Sequence, residues 1–169
     1  LTIIRRNTKR MANRKQKEKE KVSYYFAYGS NMNHKHMKMR CPKSEYVGKF
    51  TLQGYELVFR GVADVQESEG KSVPGGLFKI TPECETALDF YEGYPNLYTK
   101  KYHWQFHKDD EKYVDDKIMF YSMVDKQVVY PPGEGYLSTI LQGYNDCEIP
   151  MENRKGITEA LNFSITRLD

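Results

Sequence analysis

The chain has 169 residues, 39% of them hydrophobic and 29% charged, with a formal net charge of +3. That suits one domain with a sizeable core and offers no run of the roughly 20 apolar residues a membrane helix needs. No apolar signal core opens the chain, and Cys41, Cys84 and Cys147 form neither a disulfide framework nor a C-x-x-C pair, so a reducing cytoplasm is the expected compartment.

The charge is unevenly placed. Residues 1–21 carry nine Lys and Arg against Glu18 and Glu20, which leaves 17 basic and 21 acidic residues in the remainder. So apolar-poor a segment cannot bury enough surface to fold, and residues 1–22 read as a basic, disordered tail ahead of one domain, 23–169. No aromatics interleave its charges, so a solvated extension is expected rather than a nucleic-acid or lipid contact. Met11-Ala12-Asn13 also reads as an N-terminus in its own right.

Ser23–Tyr28 predicts a first strand that runs straight into Gly29, Ser30 and Asn31. Gly29 allows close backbone approach, and Ser30 and Asn31 are residue types that cap a following helix. A short helix is expected over 32–39, ending before Pro42. Tyr46–Phe59 reads as a strand bent at Gly48 and Gly54. Gly61–Gln66 and Val73–Ile80 read as two more, joined by a polar turn over 67–71. Pro74-Gly75-Gly76 marks an edge, a bend or a pocket wall in the second of them.

The period then changes. Cys84, Ala87, Leu88 and Tyr91 fall at i, i+3, i+4 and i+7 behind Thr81-Pro82, a cap and first-turn proline, which predicts a helix over 82–91. Tyr98–His107 alternates, with Tyr102, Trp104 and Phe106 on one face and His103, Gln105 and His107 on the other. Tyr113–Val124 returns as another strand beyond the acidic turn 109–111. Leu137, Ile140, Leu141 and Tyr144 predict a helix over 135–145, and Ile157, Ala160 and Leu161 a short last one. Strands in the middle with flanking helices and no β-α-β alternation indicate an α+β domain around a mixed sheet or barrel.

Few chemistries survive inspection. On a strand, His103 and His107 are roughly 13 Å apart, and His34 and His36 fall on different faces of a helix, so no metal site is expected. Ser30 lacks the G-x-S-x-G elbow of a nucleophile, and the glycine-bearing turns at 75–76 and 133–135 lack a nucleotide-binding context. Glu92 is the sharper candidate. It closes the predicted helix immediately before Gly93, where the helix dipole disfavours a carboxylate and raises its pKa, and Tyr91, Tyr94 and Tyr98 add desolvation in the same direction. It is either an exposed acid tolerated at a helix end or a carboxylate tuned to act as a general base.

Three segments in this order, Y-F-A-Y-G-S-N-M, the G-L-F-K-I strand after Pro74, and L-D-F-Y-E-G-Y-P-N-L-Y, resemble the gamma-glutamylcyclotransferase-like family over roughly residues 23–150. The resemblance implies a small mixed β-barrel flanked by helices. It implies that Tyr28, Gly29, Ser30 and Asn31 bind the γ-glutamyl group of a small-molecule substrate, that Glu92 is the catalytic acid and base, and that Tyr136 of P-P-G-E-G-Y lines the pocket. The reaction so implied releases 5-oxoproline and a free amine or amino acid, with no cofactor. The alternative is a non-catalytic small-molecule binding or pathway accessory protein of the same fold.

Overall fold

The first strand, β1 (Ser23–Ala27), lies in the middle of a five-stranded sheet of order β2-β3-β1-β5-β4. Its sequence SYYFA does not alternate because both faces are covered, and Tyr24, Tyr25, Phe26 and Ala27 are all buried. It runs antiparallel to β3 and parallel to β5, so that Tyr25 stands beside Phe78 on one side and Met119 on the other. The computed structural model describes residues 8–14, 22–109 and 112–168, with backbone alone at 105–109 and 112–116. Within the basic tail, residues 8–14 form a helical stretch with every residue exposed; residues 1–7 and 15–21 lie outside the described residues.

Strands β2 (Glu45–Phe59) and β3 (Ala63–Ile80) pair along nearly their whole length. The two strands expected in the second half of this hairpin are one strand of 18 residues. The polar segment expected as a turn is absorbed as a bulge, where the register steps from Gln53–Ser72 to Tyr55–Glu67. Gly54 sits in the step at φ 79°, a left-handed conformation that a Cβ would strain. A second step between Tyr46 and Gly48 places the other predicted bend. Pairing with β1 ends at Gly76, so Pro74 lies beyond that ladder and removes no bond from it.

The helices pack most of their predicted stripes inward, with Tyr91 and Leu141 left exposed. They are α1 (His34–Arg40), α2 (Pro82–Glu92), α3 (Glu134–Asp146) and α4 (Lys155–Thr166), and the hairpin of β4 (Tyr98–Asp109) and β5 (Lys112–Met123) separates α2 from α3. Thr81 Oγ1 accepts the Cys84 N–H at 3.2 Å and Pro82 occupies the first turn of α2. Leu88, Ile140, Tyr144, Ile157 and Ala160 are buried in the common core. Among the described residues no helix is long and apolar enough to cross a membrane.

The sheet does not close into the barrel that the sequence led us to expect. β2 and β4 are its two edges and share no ladder. The bulged hairpin curls toward β4, but the contact is made by side chains: the Tyr55 and His103 rings of the two edges stand edge to face at 6.4 Å, and Lys101 Nζ reaches Glu67 Oε1 of β3 at 3.5 Å. Such groups hold the two backbones farther apart than the roughly 4.8 Å of a ladder. Elsewhere buried charge joins the strands. Asp64 of β3, wholly buried, accepts the Met123 N–H at 2.8 Å, Arg60 Nε at 2.8 Å and Lys126 Nζ at 2.7 Å.

Candidate active site

Beyond β1 the chain passes through Tyr28 and Gly29 into a single 3-10 turn, Ser30–Met32. Ser30 and Asn31 do not cap the helix that follows, as their residue types suggest. Asn33 does so, its Oδ1 accepting the His36 N–H at 3.2 Å. Ser30 and Asn31 are instead buried and committed sideways. Ser30 Oγ lies 3.2 Å from the Tyr91 hydroxyl, while Asn31 Nδ2 donates to the Tyr25 hydroxyl at 3.1 Å and reaches Glu92 Oε1 at 3.5 Å. Gly29 has φ −114°, which any residue adopts, so what it supplies is room. A Cβ there would stand 3.2 Å from the Tyr136 hydroxyl and 3.4 Å from Ala63 Cβ.

Helix α2 ends at Glu92 because Gly93 turns left-handed, φ 64°, and its N–H bonds back to the carbonyls of Asp89 and Phe90. One turn earlier, Asp89 accepts the Tyr121 hydroxyl at 2.6 Å and Lys100 Nζ at 2.8 Å. These bonds pin the helix end to β5 and β4 and bring the Glu92 carboxyl against Asn31.

Between these elements lies a cavity of about 200 Å³. Tyr28, Gly29, Ser30, Asn31, Glu92 and Tyr136, separated by up to 108 positions in sequence, all line it. Much of the wall is tyrosine. The Tyr28 hydroxyl donates to the Tyr121 carbonyl at 2.7 Å and the Tyr98 hydroxyl to the Ala63 carbonyl at 2.7 Å, while the Tyr136 hydroxyl accepts the Ala63 N–H at 3.0 Å. Both backbone groups of Ala63 are thus held by lining tyrosines. Burial, reinforced by the Glu92 charge, raises the pKa of Tyr25, Tyr28, Tyr98 and Tyr136, so these phenols stay protonated.

Glu92 is the one charged side chain in the wall, among the described residues. Burial of its carboxyl pushes the pKa up to about 7, and the Arg40 charge pulls the other way. The direction is the expected one, and its cause is desolvation. Of the three tyrosines expected to supply that desolvation, Tyr91 and Tyr98 line the cavity; Tyr94 is 40% exposed and lies under Lys100, 4.5 Å from its ring centroid. Arg40 backs the site from α1. Its Nη1 donates to Asn31 Oδ1 at 2.7 Å and its guanidinium stacks 3.6 Å from the Tyr91 ring centroid.

Four participants carried no signal as site residues in the sequence: Tyr25, Arg40, Ala63 and Tyr121. Arg40 is visible as a basic residue in a last helical turn, but its partner Asn31 is not. Tyr121 depends on the parallel pairing of β1 with β5, which leaves no local mark. The remaining reactive side chains are structural. The thiols of Cys41 and Cys147 are buried, and desolvation pushes both up to about 12. His34 packs on Tyr46 with ring centroids 4.4 Å apart and His103 on Tyr55, while the His107 side chain lies outside the described residues. No three His, Cys, Asp or Glu gather as a metal site among the described residues.

Comparison with solved structures finds the same fold in several proteins. An uncharacterized protein from Homo sapiens matches with a TM-score of 0.69 at 24% identity, covering 80% of this chain and 86% of that one. A gamma-glutamyl cyclotransferase matches with a TM-score of 0.69 at 22% identity, over 80% of this chain and 85% of that one. YkqA from Bacillus subtilis matches at 0.67 and 23% identity, over 85% of this chain but 55% of its own. At these identities the likeness is one of fold. No curated protein matches the sequence. The family model described as gamma-glutamyl cyclotransferase, AIG2-like, matches residues 25–137, a span from β1 through Tyr136 that includes every residue singled out for the cavity. The chain belongs to the gamma-glutamyl cyclotransferase, AIG2-like family.

Proposed function

We propose that the protein is a gamma-glutamyl cyclotransferase, in which Glu92 is the general base and acid and the Tyr28–Asn31 loop holds the γ-glutamyl group. The observation that carries this reading is a single carboxylate, with a pKa of about 7, facing a tyrosine-walled cavity at the end of that loop. A γ-glutamyl amide carries an α-ammonium, which is inert as a nucleophile. A base with this pKa takes its proton near neutral pH. The freed amine then attacks the γ-carbonyl carbon of the same molecule, closing a five-membered ring. Because the step is intramolecular, holding the chain folded supplies much of the rate.

The oxyanion formed on attack requires donors, and the backbone N–H groups of Ser30 and Asn31, which lead the Ser30–Met32 turn and have no partner within it, serve. The amide C–N bond breaks as the leaving nitrogen takes up protons. In all, the ring nitrogen sheds two protons and the leaving nitrogen gains two, departing as an ammonium beside 5-oxoproline. Glu92 carries them one at a time and ends as it began. No cofactor enters this balance.

The test is a screen of γ-glutamyl compounds for 5-oxoproline release, with Glu92→Gln and Glu92→Ala beside the unaltered protein. Release is expected from the unaltered protein and loss of about a thousandfold or more from each variant, with the thermal transition retained. Full activity in either variant rules Glu92 out. Binding without release by the unaltered protein favours the non-catalytic alternative.

A further inference from the structure

The phenolic protons of the cavity wall divide into two groups. Tyr28, Tyr98 and Tyr121 spend theirs on the Tyr121 carbonyl, the Ala63 carbonyl and the Asp89 carboxylate. At Tyr25 and Tyr136 the hydroxyl is an acceptor instead. Tyr136 accepts the Ala63 N–H at 3.0 Å, and Tyr25 accepts Asn31 Nδ2 at 3.1 Å. The direction at Tyr25 is fixed, because Arg40 Nη1 donates to Asn31 Oδ1 and leaves Nδ2 to face the phenol. Tyr25 is 3% exposed and lines the cavity, yet its own O–H proton has no acceptor among the described residues. A buried donor left unpaired carries a cost that a bound acceptor relieves. The two free protons also stand in different places. Tyr136 lies against Gly29, where a Cβ would meet its hydroxyl at 3.2 Å, whereas Tyr25 is beside the base: the Asn31 amide that bonds it also reaches Glu92 Oε1 at 3.5 Å.

We propose that Tyr25 is a further catalytic residue, whose hydroxyl donates a hydrogen bond to the oxyanion that forms on the γ-carbonyl. The proposal rests on the cyclotransferase reading. Glu92 takes its proton from the α-nitrogen, and that nitrogen then bonds to the γ-carbonyl carbon. The oxygen that gains charge therefore develops close to the Glu92 carboxyl, on the side where Tyr25 holds its spare proton. There the phenol joins the Ser30 and Asn31 N–H groups as a donor already in place. No proton leaves it: the hydrogen bond tightens as the C–O bond becomes single and relaxes when the carbonyl re-forms. Burial, reinforced by the Glu92 charge, raises the phenol pKa and keeps the hydroxyl protonated throughout.

Tyr25→Phe removes the hydroxyl and keeps the ring, which packs 6.4 Å from Phe78 and 6.0 Å from Tyr121 between centroids. The single-turnover rate of 5-oxoproline release at saturating substrate is expected to fall about a hundredfold, with KM changed by less than about threefold, because the bond strengthens only in the transition state. That variant also strips Asn31 Nδ2 of an acceptor, so a second one separates the two effects. 3-Fluorotyrosine at position 25 keeps the acceptor and makes the phenol a stronger donor. It is expected to raise the rate about two- to threefold, a change that a hydroxyl serving only to hold Asn31 does not produce. An unchanged rate in Tyr25→Phe, or a loss confined to KM, overturns the assignment and leaves the cyclotransferase reading standing. So does a folded 3-fluorotyrosine protein whose rate equals that of the unaltered one. Release of 5-oxoproline from no γ-glutamyl compound by the unaltered protein overturns the cyclotransferase reading and this inference with it.

Discussion

Arg40 and Glu92 illustrate how two opposing effects set one pKa. Burial among phenols favours the neutral acid, whereas the guanidinium favours the carboxylate. Arg40 also does something geometric. By donating to Asn31 Oδ1 it fixes which end of that amide faces Glu92, so that Nδ2 and not the oxygen is presented to the carboxyl and to Tyr25. On the proposal that Glu92 is the base, which works only when deprotonated, kcat/KM is expected to fall as pH drops through about 7. Arg40→Met removes the lowering influence, and the acid limb must therefore move to higher pH. Activity at pH 7 should drop about three- to tenfold, with a smaller loss at pH 9 that reports the freed Asn31 amide. A pH profile of kcat/KM for both proteins checks this; a limb that stays in place would show that Arg40 acts only through packing.

The elements around the site meet at glycines, and one of them sits where a helix prefers something else. Gly143 lies inside α3, where alanine is favoured by about 1 kcal/mol. A Cβ at Gly143, however, would stand 2.6 Å from Met32 Cβ and 2.8 Å from the Asn33 nitrogen, on the backbone of the 3-10 turn that carries Ser30 and Asn31. Backbone cannot swing aside, so the overpacking cost of about 1–3 kcal/mol outweighs the propensity gain. Gly143→Ala is expected to lower the midpoint of urea unfolding and to raise KM by shifting the loop. Such a glycine in a helical pattern is a legible anomaly, although its neighbour is not. The same division runs through the other elements. The Thr81 cap, the α2 stripe and the bulge at Gly54 are local and were readable. The choice of Asn33 over Ser30 as a cap was not, because burial toward the cavity decides it; nor was the continuity of β3, because pairing with β2 overrides its polar middle.

At the scale of the whole molecule, a cluster of buried charge ties β3 to the end of β5 beside the cavity wall. The sequence-level expectation of a closed barrel failed because closure depends on what stands between β2 and β4, and strand order alone does not show that Tyr55 and His103 meet there. The Asp64 cluster was equally hidden: nothing in the local pattern singled out Arg60 or Asp64, yet their side chains are 1% and 0% exposed. Arg60 is tied to Asp64, to the carbonyls of Lys126 and Val128 at 2.6 and 2.7 Å, and to Gln66 at 2.8 Å. Asp64 in turn anchors the end of β5 through the Met123 N–H, one residue from Ala63 in the cavity wall. Replacing both charges with apolar residues can be nearly neutral, but removing one leaves the other buried without its partner. Asp64→Ala is therefore expected to cost about 3–5 kcal/mol, a large share of the roughly 5–15 kcal/mol typical of a domain. Asp64→Leu combined with Arg60→Met should recover a substantial part of that loss. The double-mutant cycle, followed by urea unfolding, measures the coupling directly. A single substitution costing under about 1 kcal/mol would mean that water compensates Arg60, and that the sheet is held around the cavity by packing alone.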